Sequence, residues 1–185
     1  MTSKLHIVGL SGSLRQQSYN SALLRYALGQ LPDGVTSEIA SFAELPIYNP
    51  DLGDENPPRA VADFKSILER GDAYLIATPE YNYGVAGGLK NALDWVSRPM
   101  GKGPMQQKTS AIMGASPSAR GTVLAQMQLR QILRFASGHV IEKPEVLIAE
   151  APKHFDDQGQ LVTESYQKQV KELILALVEY VWALK

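Results

Sequence analysis

The sequence lacks cysteine, long apolar runs and any excess of one charge. Without cysteine, the 185 residues form no disulfide, no catalytic thiolate and no thiolate-bound iron–sulfur cluster. The formal net charge of −1 argues against nucleic acid or an anionic membrane as the main partner. No apolar run approaches the roughly 20 residues that a membrane-spanning helix needs. We therefore expect residues 1–185 to form a single domain with one sizeable core, and we expect the protein to work in the cytoplasm.

Several common catalytic motifs are also missing. No Gly-Lys-Ser/Thr follows the first glycines, so the chain has no Walker A loop there. Gly9 and Gly12 are three residues apart, which does not fit the dinucleotide pattern G-x-G-x-x-G. The same run does not fit the G-x-S-x-G nucleophile elbow, because Gly12 follows Ser11 with no residue between them, which argues against serine hydrolysis.

Metal-binding patterns are absent from the sequence as well. His6, His139 and His154 lie far apart and show no metal-ligand spacing, so we interpret them as structural or surface residues. The acids at 156–157 and between 51 and 55 are typical of solvated loops. We therefore predict no metal site.

The first informative run, residues 9–20, is a polar turn between an apolar strand and a helical pattern that begins at Ser21. Such a turn offers backbone N–H groups, and the helix N-terminus adds partial positive charge. Short hydroxyl side chains and a forked cation suit a terminal phosphate, as in a mononucleotide. An ordinary turn with N-capping serines is the alternative. The predicted cofactor-binding residues here are Ser11, Ser13, Arg15, Ser18, Tyr19 and Asn20.

The second informative run, residues 78–95, follows another apolar strand at 73–77. Its tyrosines offer flat apolar contact, and backbone donors beside its glycines are able to face a heteroaromatic ring. A side chain added at Gly84 would obstruct that approach, most of all if φ is positive there. A surface turn with packed tyrosines is the alternative. The predicted cofactor-binding residues here are Pro79, Glu80, Tyr81, Asn82, Tyr83 and Gly84.

The rest of the chain alternates apolar strands with helical patterns. Five strands, at 5–8, 36–42, 73–77, 109–114 and 140–149, predict a parallel sheet covered on both faces by helices. The expected strand order is 2-1-3-4-5, with the switch point between strands one and three. Ligands bind outside the carboxyl ends of strands at such a point, and both informative runs start there.

Together, the two runs resemble the NADPH-dependent FMN reductase family of the flavodoxin-like superfamily. The resemblance rests on residues 12–15 with Ser18 and Asn20, then on 79–83 and 87–95. Residues 129–133 and 143–145 are similar to the branch that contains bacterial quinone and chromate reductases. The resemblance covers roughly residues 4–145. It implies a three-layer α/β sandwich, FMN as cofactor, NADPH or NADH as electron donor and a homodimer or homotetramer.

A third loop, residues 114–121, corresponds to a family loop that borders the flavin. The resemblance implies that Ser116 and Ser118 hydrogen-bond the ribityl chain or the ring, and that Gly121 allows close backbone approach. A simple Ser-Pro turn that caps the next helix is the alternative. Leu124 and Met127 stand where the quinone-reductase branch often has polar groups, which leaves the acceptor open.

The resemblance implies hydride transfer from NAD(P)H through bound flavin to a quinone, a free flavin or an azo dye. We expect no catalytic side chain, because the flavin carries the chemistry. Backbone N–H groups around residues 82–84 would stabilise negative charge on the ring, and Tyr81 and Tyr83 would form a stacking shelf. The alternatives are an electron carrier without NAD(P)H activity and a non-enzymatic nucleotide-binding protein. Helix 122–136 carries more apolar residues than one buried stripe needs, which predicts a partner surface.

Overall fold

One parallel sheet organises the computed structural model, which describes residues 4–53 and 56–185; the predicted solvated acids at 54 and 55 lie outside these ranges. Its strands run in the order β2-β1-β3-β6-β7, which confirms the predicted flavodoxin-like order 2-1-3-4-5 for the five strands of this sheet. A separate hairpin, β4 and β5, follows β3. The strand bounds are β1 (Leu5–Ser11), β2 (Val35–Ala40), β3 (Ala73–Ala77), β4 (Glu80–Tyr81), β5 (Gly84–Val85), β6 (Thr109–Ala115) and β7 (Val146–Ile148).

Helices cover both faces of the sheet and give a three-layer sandwich. Alternate residues of the inner strands point to opposite faces: Leu75 packs toward α1 and α5, while Ile76 packs toward α2, α3 and α4. Burial on both faces explains the continuous apolar runs of the central strands. The helix bounds are α1 (Tyr19–Leu28), α2 (Arg59–Arg70), α3 (Gly87–Val96), α4 (Val123–Ala136) and α5 (Glu164–Ala183), with short 3-10 turns at Pro50–Leu52 and Ala151–Lys153.

Two local predictions need correction. The first helix begins at Tyr19 rather than Ser21, because Ser18 is its N-cap and its Oγ accepts the N–H of Ser21 at 3.3 Å. The segment predicted as a flexible tyrosine loop is a short hairpin whose strands pair Glu80 with Val85 and Tyr81 with Gly84. Pairing between two-residue strands leaves too little periodicity to be read from the sequence.

The carboxyl ends of the central strands meet at one edge of the sheet. Ser11 at the end of β1 pairs with Ala77 at the end of β3, and Ala77 pairs with Met113 of β6. The N–H of Gly12 extends this register by donating to the carbonyl of Ala77 at 2.7 Å. The loops after β1, β3 and β6 therefore open side by side. None of the helices in the described ranges is long and apolar enough to cross a membrane.

Candidate functional site

The loop after β1 forms a corner rich in hydroxyl groups. Ser11 Oγ donates to the carbonyl of Ser13 at 3.1 Å and lies 2.8 Å from Ser21 Oγ. Arg15 is exposed, and its guanidinium lies 5.7 Å from the ring centroid of Tyr19. Within the described ranges, that guanidinium has neither a hydrogen bond nor an ion pair. The corner thus holds a cation whose charge no acid of the described chain neutralises.

Among the helices that begin at this edge, α1 and α4 differ in the charge at their first turns. The first turn of α1 contains no acidic residue. The first turn of α4 receives one from outside, because Glu80 Oε2 accepts the N–H of Ala125 at 2.9 Å. A carboxylate therefore compensates the positive end of the α4 dipole, whereas α1 keeps its own. An anionic ligand is consequently favoured at α1, beside Arg15.

The tyrosine hairpin turns through two left-handed residues, Asn82 with φ of 50° and Tyr83 with φ of 64°. Two positive φ values match the mirror-image turns that join short hairpins, but they are costly for a residue as large as tyrosine. Two hydrogen bonds to α4 hold the hairpin: the bond from Ala125 to Glu80, and that from the Val85 N–H to Gln128 Oε1 at 2.7 Å. Neighbouring structure therefore maintains the turn.

Gly84 packs closely against α4. The left-handed residues are Asn82 and Tyr83, and Gly84 is not among the glycines with positive φ. A Cβ added at Gly84 would lie 2.9 Å from Gln128 Oε1. Glycine at this position therefore accommodates the Gln128 side chain of α4, and the approach of a ring to Gly84 stays a prediction.

The three loops enclose a cavity of about 400 Å³, here called the inner cavity. Tyr81 joins two of the loops, since its hydroxyl lies 3.3 Å from Ser13 Oγ. Its lining combines hydroxyl, amide and charged side chains with three prolines and the Tyr81 ring. The predicted residues that line it are Ser13, Arg15, Ser18, Tyr19, Asn20, Pro79, Glu80, Tyr81 and Ser116, joined by Ala115, Pro117 and Pro152.

A second space of about 510 Å³, here called the outer cavity, shares Glu80 and Ser116 with the inner one. Asn82 and Tyr83 line it from the hairpin, and residues 118–120 line it from the loop after β6. The guanidinium of Arg120 lies 6.0 Å from the ring centroid of Tyr83. Arg120 was not predicted as a site residue; the sequence signal for it is a cation that follows the Ser-Pro turn.

Three predicted site residues lie elsewhere or are engaged by the protein. Ser11 lines a separate groove of about 210 Å³, and Gly84 lines neither the inner nor the outer cavity. Asn20 is buried and uses both polar atoms on Ala115: Nδ2 donates to its carbonyl at 2.8 Å, and Oδ1 accepts its N–H at 2.9 Å. Asn20 therefore ties α1 to the end of β6.

The loop after β6 has features of both predicted alternatives, a loop that borders the ligand site and a simple turn. Ser116 lines both cavities, yet its Oγ also accepts the Ser118 N–H at 3.2 Å, as in a serine turn. Gly121 has φ of 62°, and its added Cβ would meet the backbone of Leu147 at 3.4 Å. The glycine thus serves a left-handed turn packed on β7, and its approach to a flavin stays a prediction.

The three histidines have protein partners. His6 lies 3.0 Å from Glu38 Oε1, the His139 ring stacks on Tyr180 at 4.2 Å, and His154 Nδ1 lies 2.9 Å from a threonine hydroxyl. Across the described ranges, no group of three or more histidine or acidic side chains is arranged to hold a metal.

Comparison with known proteins identifies the family. The family model described as NADPH-dependent FMN reductase matches residues 5–153. The chain belongs to the NADPH-dependent FMN reductase family. It is therefore an oxidoreductase that uses FMN with NAD(P)H as electron donor.

Individual relatives agree with this assignment. An NAD(P)H-dependent FMN reductase of Pseudomonas aeruginosa is 43% identical over 185 residues, which is 100% of both chains. A quinone reductase of Pseudomonas putida is 41% identical over 151 residues and 81% of each chain. The solved structure of FerB, an NAD(P)H:acceptor oxidoreductase from Paracoccus denitrificans, superposes with a TM-score of 0.86 at 30% identity, covering 96% of this chain and 97% of that one.

Proposed function

We propose that the inner cavity binds FMN, with the phosphate at the N-terminus of α1 and the ring toward the tyrosine hairpin. The observation that carries this proposal is the position of Arg15, an unneutralised cation beside a helix start without acids. Ser13, Ser18 and the backbone N–H groups of the first turn complete the phosphate site, with Tyr19 beside them.

The residues present fit this cofactor. A volume of about 400 Å³ lies within the ordinary range of ligand pockets, roughly 300–1,000 Å³. Arg15, Ser13 and Ser18 supply a cation and hydroxyl donors, whereas Pro79, Tyr81 and Pro117 supply flat or apolar contact. This combination suits a molecule that carries both a phosphate and a fused ring.

The protein orients the reaction without a catalytic side chain. Bound FMN supplies a ring that accepts hydride from NAD(P)H and passes it to the acceptor. Asn82 and Tyr83 line the adjoining outer cavity, and we propose that their amides stabilise negative charge on a ring bound beside the hairpin. Tyr81 and Tyr83 form the outer wall, and Glu80 holds the hairpin through α4.

We propose that electron donor and acceptor occupy the outer cavity in turn. This space adjoins the inner cavity through Glu80 and Ser116 and is open to solvent. Small planar acceptors of the quinone class suit it, and a similar protein of Pseudomonas putida is a quinone reductase. Free flavins and azo dyes share the planar shape.

An anaerobic reduction experiment tests the function. The purified protein is reconstituted with FMN, its flavin absorbance is recorded, and NADPH, NADH and then a quinone are added without oxygen. We expect NAD(P)H to bleach the flavin and the quinone to restore it through many turnovers. Bound FMN that neither coenzyme reduces would support an electron carrier instead, and no FMN uptake would support a non-enzymatic nucleotide-binding protein.

The proposed assembly is a homodimer or homotetramer with α4 in the contact. Leu129 and Leu133 of α4 are buried in the core, but Met127 is 63% and Phe135 is 61% exposed. The sequence predicted a partner surface from the many apolar residues of this helix, and Met127 and Phe135 are the ones among them that are largely exposed. Sedimentation at micromolar concentration should show an oligomer, and Phe135→Lys should weaken it; a monomeric wild-type protein would contradict the proposal.

We also propose a cytoplasmic location, where NAD(P)H is regenerated. Cell fractionation followed by detection of the protein checks this; recovery in another fraction would contradict it.

A further inference from the structure

The outer cavity contains a cation that is available to a ligand. Arg120 is exposed and contacts the Tyr83 ring, and in residues 4–53 and 56–185 no acid or carbonyl accepts a hydrogen bond from its guanidinium. Glu80 is the acidic residue among the lining side chains, and its carboxylate is bound to the N-terminus of α4. The charge of Arg120 therefore faces the cavity without compensation.

Tyr83 adds a flat surface beside this cation. Its side chain is 70% exposed, although its backbone is left-handed and the hairpin is held by two hydrogen bonds to α4. A large aromatic ring kept exposed on a fixed turn offers a stacking face, and a guanidinium is itself planar and stacks on aromatic rings. The pair thus presents a flat surface and a positive charge to the same ligand.

We infer that Arg120 and Tyr83 recognise planar aromatic anions, and that the favoured acceptors are quinones carrying an ionised hydroxyl or sulfonate group. This inference rests on the proposed function. It assigns Arg120 to the acceptor, in contrast to Arg15, which lines the inner cavity and faces the phosphate. The anion pairs with the guanidinium while the ring stacks on Tyr83.

The reaction balances without a further reagent. NAD(P)H provides a hydride, that is, two electrons and one proton, and solvent provides the second proton. The quinone gains both protons and both electrons and becomes a hydroquinone, and the coenzyme leaves as NAD(P)⁺. The negative substituent takes no part in bond making, so Arg120 affects selection of the acceptor rather than hydride transfer.

A matched pair of quinones tests the inference through binding. The ligands are 2-hydroxy-1,4-naphthoquinone, which is ionised at neutral pH, and its neutral 2-methoxy ether. Their dissociation constants are measured by calorimetry on the FMN-loaded protein without NAD(P)H, at fixed ionic strength. The variants are Arg120→Gln, Arg120→Lys and the control Arg134→Gln, which removes an exposed arginine of α4 far along the helix.

We expect Arg120→Gln to weaken the hydroxyquinone about tenfold, in line with the loss of a charged hydrogen bond of roughly 1.5 kcal/mol. The methoxy ether should bind all three variants and the wild type alike. Arg120→Lys should retain part of the preference for the anion, and Arg134→Gln should retain all of it. Equal effects of Arg120→Gln on both quinones, or no effect on either, would overturn the inference.

A second experiment, with the two coenzymes, tests whether the anion that Arg120 recognises is the acceptor or the phosphate of NADPH. kcat/KM is measured for NADPH and for NADH with the neutral ether as acceptor. An unchanged NADPH-to-NADH ratio in Arg120→Gln supports the inference, and a selective loss with NADPH while both quinones bind normally would overturn it. Normal FMN uptake and reduction of the wild type by NADH show that the proposed function itself has not failed.

Discussion

The two edges of the sheet treat their cations in opposite ways. At the amino-terminal edge, Arg70 binds Glu38 through two hydrogen bonds of 2.9 and 2.7 Å, and Lys185 lies 2.8 Å from Asp72. At the carboxyl-terminal edge, Arg15 and Arg120 have no acidic partner within the part of the chain that the structure describes. Arg70 and Lys185 thus serve the fold, whereas Arg15 and Arg120 are left for ligands.

Buried polar groups at the amino-terminal edge also serve the fold. Lys108, at the amino-terminal edge, donates to the carbonyl of Glu69 at 3.0 Å, and burial lowers the pKa of its ammonium. Burial also raises the pKa of the Tyr74 hydroxyl, which lies 2.8 Å from the Leu68 carbonyl. These groups are satisfied by the fold itself. Variants of Arg70 and Lys108 should therefore change stability, and variants of Arg15 and Arg120 should change ligand binding.

Glu80 is the strongest test of this division, because it is an acid at the ligand edge that serves the fold. Glu80→Ala removes the carboxylate at the N-terminus of α4 and should lower the free energy of unfolding by about 1–2 kcal/mol. Glu80→Gln keeps an acceptor oxygen and should lose less. Denaturant unfolding without FMN measures both variants, and an unchanged stability of Glu80→Ala would show that the Ala125 contact contributes nothing.

A double-mutant cycle tests whether Gly84 serves the packing of the hairpin on α4. Gly84→Ala places a Cβ against Gln128 and should cost about 1 kcal/mol of stability, because the neighbour must move. In the Gln128→Ala background the cost should be smaller, since the contact is gone. If Gly84→Ala instead keeps full stability and loses FMN, the glycine faces the flavin, as the sequence predicted.

The Glu38 pair should give the smallest effect, because it is a surface pair. Hydrogen bonding to Arg70 lowers the pKa of Glu38 to about 2 from its ordinary value of 4.5. A lowered pKa in the folded state stabilises the protein above pH 4.5 and loses that stabilisation as pH falls toward about 2.

The stability difference between wild type and Glu38→Gln should therefore be constant near neutral pH and shrink below pH 4.5. Urea unfolding at a series of pH values measures it. FMN affinity should be the same in both proteins; a difference that persists at low pH, or a weaker FMN complex in the variant, would contradict the comparison.

The sequence was informative where the chemistry is local. Apolar strands alternating with helices predict the order of the sheet, and polar runs directly after the first and third strands predict which loops meet. The bond from Asn20 to Ala115 spans 95 residues, and that from Ala125 to Glu80 spans 45. No local sequence pattern indicates such contacts. The hydrogen bonds of Asn20 to Ala115 and the contact of Gly84 with Gln128 are therefore visible only in the packed structure. The proximity of Arg120 to Tyr83 has the same origin.

The proposed FMN site depends most on the phosphate lying at α1 beside Arg15. The direct measurement is the affinity of wild type and Arg15→Ala for FMN and for riboflavin, which lacks the phosphate, with Arg134→Ala as the control. We expect Arg15→Ala to weaken FMN about ten- to a hundredfold, the loss of roughly 1.5–3 kcal/mol for a charged hydrogen bond, and to leave riboflavin unchanged. Equal weakening of both flavins, or of neither, would contradict a phosphate held at this corner.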